Sequence, residues 1–401
     1  MRLTRLSFIA AGVAAMLIGP AALAQKKYDS GADDKEIKIG GISPYSGPAS
    51  AYGAIGKAIG AYFDKVNAEG GVNGRKLKWI SLDDGYNPAK TVEQARKLVE
   101  EEEVLFIFNT LGTPPNSAIH RYMNQKKVPQ LFVATGATKW GDPKNFPWTM
   151  GWQPNYQSEA KVFAAHILDT KPGAKIAILY QNDDYGKDYL KGFEDGLGEK
   201  GKSMIVSKIT YEVTDPTIDS QMVSLKGTGA DTFFNITTPK FAAQAIKKAA
   251  EIGWKPTHYL NSVSASVGSV MMPAGPENGV GIFTASYIKD PTDPQFQKGK
   301  EWDDWLGWMK KYHASADVKD VNNVFGYTVA QGLVQVLKQA GDNLTRENIM
   351  KQAASLDMTL PMLLPGVNVK TGPDDFYPIE REQLARFDGK TWVLFGKVYG
   401  R

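Results

Sequence analysis

Hydrophobic and polar positions along the chain follow two alternating patterns. Short apolar runs rich in β-branched and aromatic residues predict strands that are buried on both faces. Longer segments with apolar residues at three- and four-residue spacing predict helices. In residues 36–133 these patterns predict four strands separated by three helices, beginning and ending on a strand. That order predicts a parallel sheet with helices on both faces and right-handed crossovers.

The first unit ends at residues 146–154, where two prolines and two tryptophans interrupt the rhythm. We interpret this stretch as a crossing between two lobes. The alternation then restarts and predicts a second doubly wound unit. The predicted strands cover residues 36–42, 76–83, 104–108, 130–133, 175–180, 204–211, 232–236, 258–261 and 280–286, the last of which could return to the first lobe. The predicted helices cover residues 51–68, 87–102, 117–127, 158–168, 186–200, 217–226, 240–252, 295–312, 322–339 and 345–354, and the tail from residue 364 is strand-like.

The segment 104–140 contains two strands that each end in a loop of small polar residues. These loops cover residues 109–113 and 134–138 and are rich in hydroxyl groups. Ligands of open parallel sheets bind outside the carboxyl ends of the strands. The segment therefore has the pattern of half a small-molecule site, although two ordinary connecting loops would have the same pattern.

Composition and the amino terminus indicate an exported protein. The 401 residues are 42% hydrophobic and 22% charged, as expected for a globular chain of about two domains. Arg2 and Arg5 precede an apolar run over residues 6–18, too short to span a bilayer, and Ala22-Leu23-Ala24 forms a cleavage site. We therefore predict a cleavable signal peptide over residues 1–24. The chain has no cysteine to accept a lipid, which favours a free protein in the periplasm.

Net charge and motif content exclude several classes of function. Removing residues 1–24 deletes two arginines and no acid, so the net charge falls from +4 to +2, too small to indicate nucleic acid as a partner. The sequence contains no HExxH, GxSxG or complete phosphate-binding loop, and its histidines are far apart. Asp83-Asp84 and Asp183-Asp184 follow strands and could bind a cation, but such pairs more often cap loops or helices. We therefore expect no cofactor, no metal and no enzymatic activity.

Four segments together resemble the periplasmic leucine/isoleucine/valine-binding protein family. They are the S-G-x-x-x-x-x-G loop beginning at Ser46, the N-x-x-G-G-x-x-G-R turn beginning at Asn67, Asp83-Asp84, and YQNDDYGKDYLKGFEDGL beginning at Tyr180. The resemblance implies an α/β fold of two doubly wound parallel-sheet lobes joined by three hinge crossings, the type I periplasmic binding protein fold. It also implies a receptor for an ABC importer of the branched-chain amino acid type.

The resemblance further implies where the lobes divide. The crossings are expected near residues 150–157, 280–286 and 356–366. The N-terminal lobe should then comprise residues 36–152 and 284–358, and the C-terminal lobe residues 156–281 and 364–401. The two lobes are expected to close over a ligand.

The same resemblance places the ligand in loops at the ends of the strands. From the first lobe it implies a tyrosine over the ligand and loops whose amides and hydroxyls take a carboxylate. From the second it implies a closing tyrosine and two further loops, and a tryptophan at the crossing could cover an apolar body. The predicted binding residues are Tyr52, Gly112, Thr113, Thr135, Gly136, Ala137, Trp152, Tyr185, Thr237, Thr238, Ser262 and Ser264.

One departure from the family affects the expected ligand. Amino acid binders of this family usually carry an acid in the second-lobe loop, to hold the ammonium group. Here that loop, residues 261–266, contains no acid, and a buried ammonium without a carboxylate is costly. This favours an apolar or aromatic carboxylate, or a neutral amide. Asp183 or Asp184 could still supply the charge, so a branched-chain amino acid remains an alternative.

The expected partners are a small-molecule ligand and the membrane permease of an ABC importer. The protein is expected to act as a monomer. A ligand sensor that hands its closed form to a signalling partner is an alternative that the sequence does not separate from import. An exported enzyme is less favoured, because no coupled acid, base or nucleophile set is recognisable.

Overall fold

The computed structural model describes residues 26–400, apart from the side chain of Lys200. The predicted signal peptide lies outside the described residues. Within them, the structure confirms the α/β fold with two parallel-sheet lobes. No helix in this part of the chain is both long and apolar enough to cross a membrane.

Most elements lie within a few residues of their predicted positions. The strands are β1 (Lys27–Tyr28), β2 (Glu36–Ser43), β3 (Lys76–Asp83), β4 (Phe106–Phe108), β5 (Gln130–Val133), β6 (Thr149–Gly151), β7 (Ile176–Gln181), β8 (Ile205–Tyr211), β9 (Thr232–Ile236), β10 (Thr257–Leu260), β11 (Phe283–Ser286), β12 (Asn343–Leu344), β13 (Asp357–Met358), β14 (Val369–Lys370), β15 (Glu382–Phe387) and β16 (Trp392–Tyr399). The α-helices are α1 (Gly53–Ala68), α2 (Pro88–Arg96), α3 (Thr113–Lys126), α4 (Tyr156–Thr170), α5 (Asp184–Lys202), α6 (Asp219–Gly227), α7 (Pro239–Glu251), α8 (Met272–Ala274), α9 (Lys300–Tyr312), α10 (Val321–Ala340) and α11 (Arg346–Ala353).

The first lobe is built on a five-stranded sheet with the order β3-β2-β4-β5-β6, and its strands pair in parallel. Helices α9, α10 and α11 return from later in the chain and contribute buried residues to the same apolar core. Helix α10 is buried along most of its length, which explains its strongly apolar sequence. The carboxyl ends of β4 and β5 therefore lie on a rigid, well-packed layer.

The second lobe is built on a seven-stranded sheet with the order β16-β15-β11-β10-β9-β7-β8. Strands β7 to β11 pair in parallel, and the last two strands add in antiparallel orientation. Strand β11 belongs to this sheet and does not return to the first lobe. The second crossing therefore begins after Ser286, not at residue 284 as expected. The remaining lobe boundaries stay a prediction.

One predicted helix boundary was wrong. Helix α3 begins at Thr113, four residues earlier than predicted, because Pro114 and Pro115 lie in its first turn, where a missing N–H costs nothing. Residues 146–154, interpreted as the first crossing, also contain a strand that was not predicted. This strand, β6, is a three-residue edge strand beside β5, a position where neighbouring prolines are tolerated.

Candidate functional site

The two lobes enclose a cleft at the carboxyl ends of their strands. It contains about 1000 Å³ of atom-free space, including the part that opens to solvent. Most of its wall is apolar or aromatic, with a few polar groups. The lining residues are Tyr52, Ile55, Tyr86, Leu111, Gly112, Thr113, Ala134, Gln153, Tyr156, Tyr185, Thr238, Ser262, Val263, Ala265, Thr284, Ala285, Ser286, Tyr287, Ile288, Asp290, Asp293, Phe296, Val321, Asn322, Phe325, Leu364, Trp392 and Leu394.

On the first-lobe side, two threonine hydroxyls form a pair at the start of α3. The Thr113 and Thr135 hydroxyl oxygens lie 2.5 Å apart, and each residue is only 1% exposed. The N-terminus of α3 carries the positive end of the helix dipole. Pro114 and Pro115 have no N–H to offer, so in the first turn the donor nearest to a ligand is the amide of Thr113. This wall favours negative charge without containing a formal cation.

Gly112 gives this wall its shape. Its φ of 94° is disfavoured for residues with a side chain. A Cβ at this position would also lie 2.4 Å from the ring of Tyr86. Tyr86 lines the cleft directly beside it, so glycine is required both by the backbone and by the close approach of that ring.

On the second-lobe side, Tyr185 is held by the loop after β10. With its amide oxygen directed at this tyrosine, Asn261 accepts the Tyr185 hydroxyl and donates to the main-chain oxygens of Thr237 and Asn235, at 3.2 and 3.1 Å. The Ser264 hydroxyl also donates to the Thr237 main-chain oxygen. The loops at residues 237 and 261–264 thus form one hydrogen-bonded unit behind Tyr185.

The lobes are closed over the cleft. The Tyr52 hydroxyl of the first lobe donates to the Val263 main-chain oxygen of the second at 3.0 Å, and Tyr52 is 7% exposed. At the rim, the Thr138 amide and hydroxyl both donate to Asp188, at 2.8 and 3.0 Å. Burial raises the pKa of Tyr52 well above its usual range, so its hydroxyl keeps the proton that it donates.

A buried glutamate supports the acid-free loop from behind. Glu159, in the first turn of α4, accepts the Ser262 amide at 2.8 Å, the Ser262 hydroxyl at 2.6 Å and the Tyr189 hydroxyl at 3.0 Å. Burial raises the pKa of Glu159 to about 7. Burial also raises the pKa of Glu382 well above its usual range, and the neighbouring Glu159 adds to that shift. Two carboxyl groups that the loop sequence does not reveal therefore lie behind the second-lobe wall.

Half of the predicted binding residues line the cleft. They are Tyr52, Gly112, Thr113, Tyr185, Thr238 and Ser262. The other six, Thr135, Gly136, Ala137, Trp152, Thr237 and Ser264, do not line it. Thr135 is nevertheless in contact with the wall through Thr113. The role of each residue in binding stays a prediction.

Trp152 lies in the first-lobe core and not over the ligand space. It is fully buried, with its ring centroid 4.8 Å from that of Phe132. Its ring also covers Gly332 of α10, where an added Cβ would lie 2.5 Å from it. We predicted that Trp152 could cover the apolar part of the ligand. Its ring packs against α10 in the core instead.

Several lining residues were not predicted from the sequence. They include Tyr86, Tyr156, Tyr287, Asp290, Asp293, Phe296 and Trp392. Most come from ordinary turns, helix starts and strand ends, and have no local signature. The turn from Asp290 to Pro294, directly after β11, offered one signal, since two acids with prolines follow the end of a strand.

The paired aspartates act as caps. Asp84 accepts the Tyr86 amide and the Thr91 hydroxyl, and Asp183 accepts the Tyr185 and Gly186 amides at the start of α5. Asp184 forms an ion pair with Lys139 across the rim, at 2.7 Å. Residues 26–400 contain no group of three or more possible metal ligands.

Comparison with known proteins identifies the family. A family model described as periplasmic binding protein matches residues 36–389. The chain therefore belongs to the periplasmic binding protein family. It is 26% identical over 299 residues to Leu/Ile/Val-binding protein homolog 7 of Brucella suis biovar 1 (strain 1330), a match that covers 71% of this chain and 69% of the relative. The predicted resemblance to this family is confirmed.

Solved structures show the same fold. A branched-chain amino acid ABC transporter protein from Thermus thermophilus with bound valine superposes with a TM-score of 0.82 at 16% identity, covering 92% of this chain and 98% of the other. A solute-binding protein of an ABC transporter from R. palustris, in complex with benzoate, gives a TM-score of 0.76 at 21% identity, covering 91% and 98%. At these identities the likeness establishes the fold.

Proposed function

We propose that the protein is the periplasmic receptor of an ABC importer and binds a small apolar or aromatic carboxylate between its lobes. The observation that carries this proposal is the closed cleft, in which the Tyr52 hydroxyl meets the Val263 main-chain oxygen over a largely apolar wall. A pocket with an apolar wall and few polar groups is typical of a small-molecule site. Closure would give a membrane permease a surface that differs from that of the empty receptor.

The first-lobe wall supports a carboxylate as the anchored group. The hydroxyl pair of Thr113 and Thr135 and the N-terminus of α3 supply donors and a positive potential. Donors preorganised in a buried wall can replace the water around an anion without a full counter-charge. The two solved relatives hold valine and benzoate, which share a carboxylate group.

The acids of the second lobe argue against an ordinary α-amino acid. Both carboxylate oxygens of Glu159 are taken by Ser262 and Tyr189, and Glu159 does not line the cleft. Asp183 caps α5, and Asp184 pairs with Lys139. An α-ammonium group beside an anchored carboxylate would therefore lose its hydration without gaining a free carboxylate from Glu159, Asp183 or Asp184.

Calorimetric titration tests the ligand class. The protein should first be unfolded, dialysed and refolded to remove any retained ligand, and then titrated with benzoate, benzamide and leucine. We expect micromolar benzoate binding, about tenfold or more tighter than binding of the other two. Micromolar leucine binding would contradict the proposed preference. Mass spectrometry of the compound that copurifies with the native protein would identify the natural ligand directly.

Two substitutions test the position of the site. Thr135→Val removes a hydroxyl behind Thr113, and Tyr185→Ala removes the aromatic ring opposite it. Both should weaken benzoate binding while the circular dichroism spectrum stays that of the native protein. If neither alters the affinity, the carboxylate is held elsewhere.

Uptake by whole cells tests the role in import. Deletion of the gene should reduce uptake of labelled benzoate, and the native gene should restore it. The Tyr52→Phe gene should restore it only in part, because the cross-lobe bond is missing. Unchanged uptake in the deletion strain, together with intact binding by the pure protein, would favour the sensor alternative.

A further inference from the structure

The cleft has a second polar end, opposite in character to the threonine pair. It is formed by the turn after β11, where Asp290 and Asp293 line the space and are 8% and 7% exposed. The rings of Phe296 and Trp392 line the same end. Neither aspartate shares a hydrogen-bonding partner with Thr113 or the residue bonded to it. The two polar groups are thus held by different elements of the chain, the Thr113 hydroxyl by Thr135 and the two carboxylates by the turn after β11.

One carboxylate oxygen at this end has no partner. The Oδ1 atom of Asp290 accepts the Thr292 amide at 2.8 Å and the Thr292 hydroxyl at 2.5 Å. Its Oδ2 atom receives no hydrogen bond from any residue between 26 and 400. Both oxygens of Asp293, by contrast, accept from Gln295, at 2.9 and 2.6 Å. Because Asp290 lines the cleft, a hydrogen-bond donor on a ligand could pair with this oxygen.

The charge at this end is also uncompensated. Burial raises the pKa of Asp290 to about 6, and the neighbouring Asp293 and Asp320 add to the shift. None of the ion pairs formed within residues 26–400 includes any of these three carboxylates. Lys289, next to Asp290 in sequence, pairs instead with Glu301. A cationic group entering here would meet a buried anion that no protein cation neutralises.

We propose that the Asp290 end of the cleft is a subsite for a positively charged hydrogen-bond donor, such as a protonated amine. The ligand would then carry an ammonium group separated from its carboxylate by an apolar spacer. This rests on the proposed function, which places the carboxylate at Thr113. An α-amino acid does not fit, because both of its charged groups are attached to one carbon. The rings of Phe296 and Trp392 would add cation–π attraction for the bound amine.

Two probes of equal shape test the subsite by calorimetry. The first is 4-(aminomethyl)benzoate, which carries an ammonium group, and the second is 4-ethylbenzoate, which carries a methyl group in its place. We expect the native protein to bind the ammonium probe about tenfold or more tighter. Asp290→Asn should abolish that preference. Asp33→Asn is the control for the change in net charge, because Asp33 caps an exposed turn through the Lys35 amide, outside the cleft.

The pH dependence gives a second readout that needs no variant. The ammonium probe keeps its charge between about pH 5 and pH 8, whereas Asp290 loses its proton near pH 6. The preference for the ammonium probe should therefore increase as the pH rises through 6. The affinity for 4-ethylbenzoate should not follow that change, even though Asp293 and Asp320 face the same end.

The outcomes separate the two proposals. Equal binding of both probes by the native protein, or a preference that Asp290→Asn leaves intact, would overturn the subsite while the carboxylate end still stands. Failure of the native protein to bind benzoate and both probes would overturn the proposed function itself. Tighter binding of 4-ethylbenzoate than of the ammonium probe would show that this end accepts apolar groups only.

Discussion

The two ends of the cleft are both buried and polar, yet they are built from opposite chemistry. The Thr113 end combines neutral hydroxyls with a helix N-terminus and contains no formal charge. The Asp290 end contains two carboxylates that form no ion pair with the described part of the chain. The first end would attract an anion through dipoles, whereas the second would attract a cation through charge.

The difference teaches how such a receptor can select a ligand without strong binding to a single group. Dipoles anchor a carboxylate and can release it again, since no salt bridge must be broken. Under the proposal above, the Asp290 carboxylate would then select for the chemistry of the other end of the ligand. Closure of the lobes, through Tyr52 and the rim contacts, places both polar ends of the cleft in one enclosed space.

The largest effect is expected at the neutral end. Thr113→Val removes one hydroxyl of the pair and leaves the hydroxyl of Thr135 without its partner. Because a bond to a charged group contributes about 1.5–3 kcal/mol, benzoate affinity should fall about ten- to a hundredfold. Thr217→Val, at an exposed position of the second lobe, is the control and should leave the affinity unchanged. An unaltered affinity in Thr113→Val would remove the basis for the contrast between the two ends.

The second expectation concerns the acid behind Ser262. Burial raises the pKa of Glu159 to about 7, above its ordinary value of 4.5. The folded protein therefore holds this proton more tightly than the unfolded chain, so stability should fall as the pH rises from about 4.5 to about 7 and then level off. Glu159→Gln removes this titration. The fall in melting temperature across this pH window should therefore be smaller in the variant than in the native protein, by about 2 °C or more. The exposed Glu251→Gln should keep the native slope, and an equally steep slope in Glu159→Gln would contradict the assignment.

A smaller effect is expected from the contact that joins the lobes. Tyr52→Phe removes only the hydroxyl that donates to the Val263 main-chain oxygen. A net loss of about 0.5–1.5 kcal/mol should weaken benzoate binding about three- to tenfold, chiefly through faster dissociation. Tyr312→Phe, in a partly exposed position of α9, is the control. Equal affinities in the two variants would mean that closure does not depend on this bond.

The smallest effect is expected at the rim. The Lys139–Asp184 pair crosses between the lobes at 2.7 Å, with side chains 37% and 61% exposed. Exposed pairs contribute about 0–1 kcal/mol, so Lys139→Met should weaken ligand binding by about threefold at most, and less at high salt. Lys191→Met removes a similar exposed pair within α5 and should have no effect. A larger loss in Lys139→Met would place part of the binding energy outside the cleft.

Much of the fold could be predicted from the sequence because its signals are local. Strands β3, β5 and β9 have the predicted bounds, and α11 begins directly after Thr345, the first residue of its predicted range, whose hydroxyl accepts the Asn348 amide. The predictions failed where a neighbour in space decided the outcome. Strand β11 joined the second sheet by pairing with β10 and β15, and Trp152 was drawn into the core by α10.

The candidate site likewise contains some residues that could be predicted from the sequence and others that could not. The loop at residues 112–113 could be found because small polar residues follow an apolar strand, and the loop at residues 237–238 because the family resemblance implies it. The carboxyl groups of Glu159 and Asp290 could not be placed. Glu159 has the sequence signature of an ordinary acid in the first turn of a helix, and Asp290 that of a turn residue. Their roles depend on what surrounds them after folding.

By itself, the sequence determined the family through its resemblance, and the α/β architecture through periodicity, turn chemistry and strand-end position. These signals act over a few neighbouring residues. Only the tertiary structure decided which side chains meet across the cleft, which acids are buried, and which oxygen of Asp290 remains without a partner. Burial, pKa and hydrogen-bond satisfaction depend on groups that are distant in sequence, and only the folded chain brings those groups together.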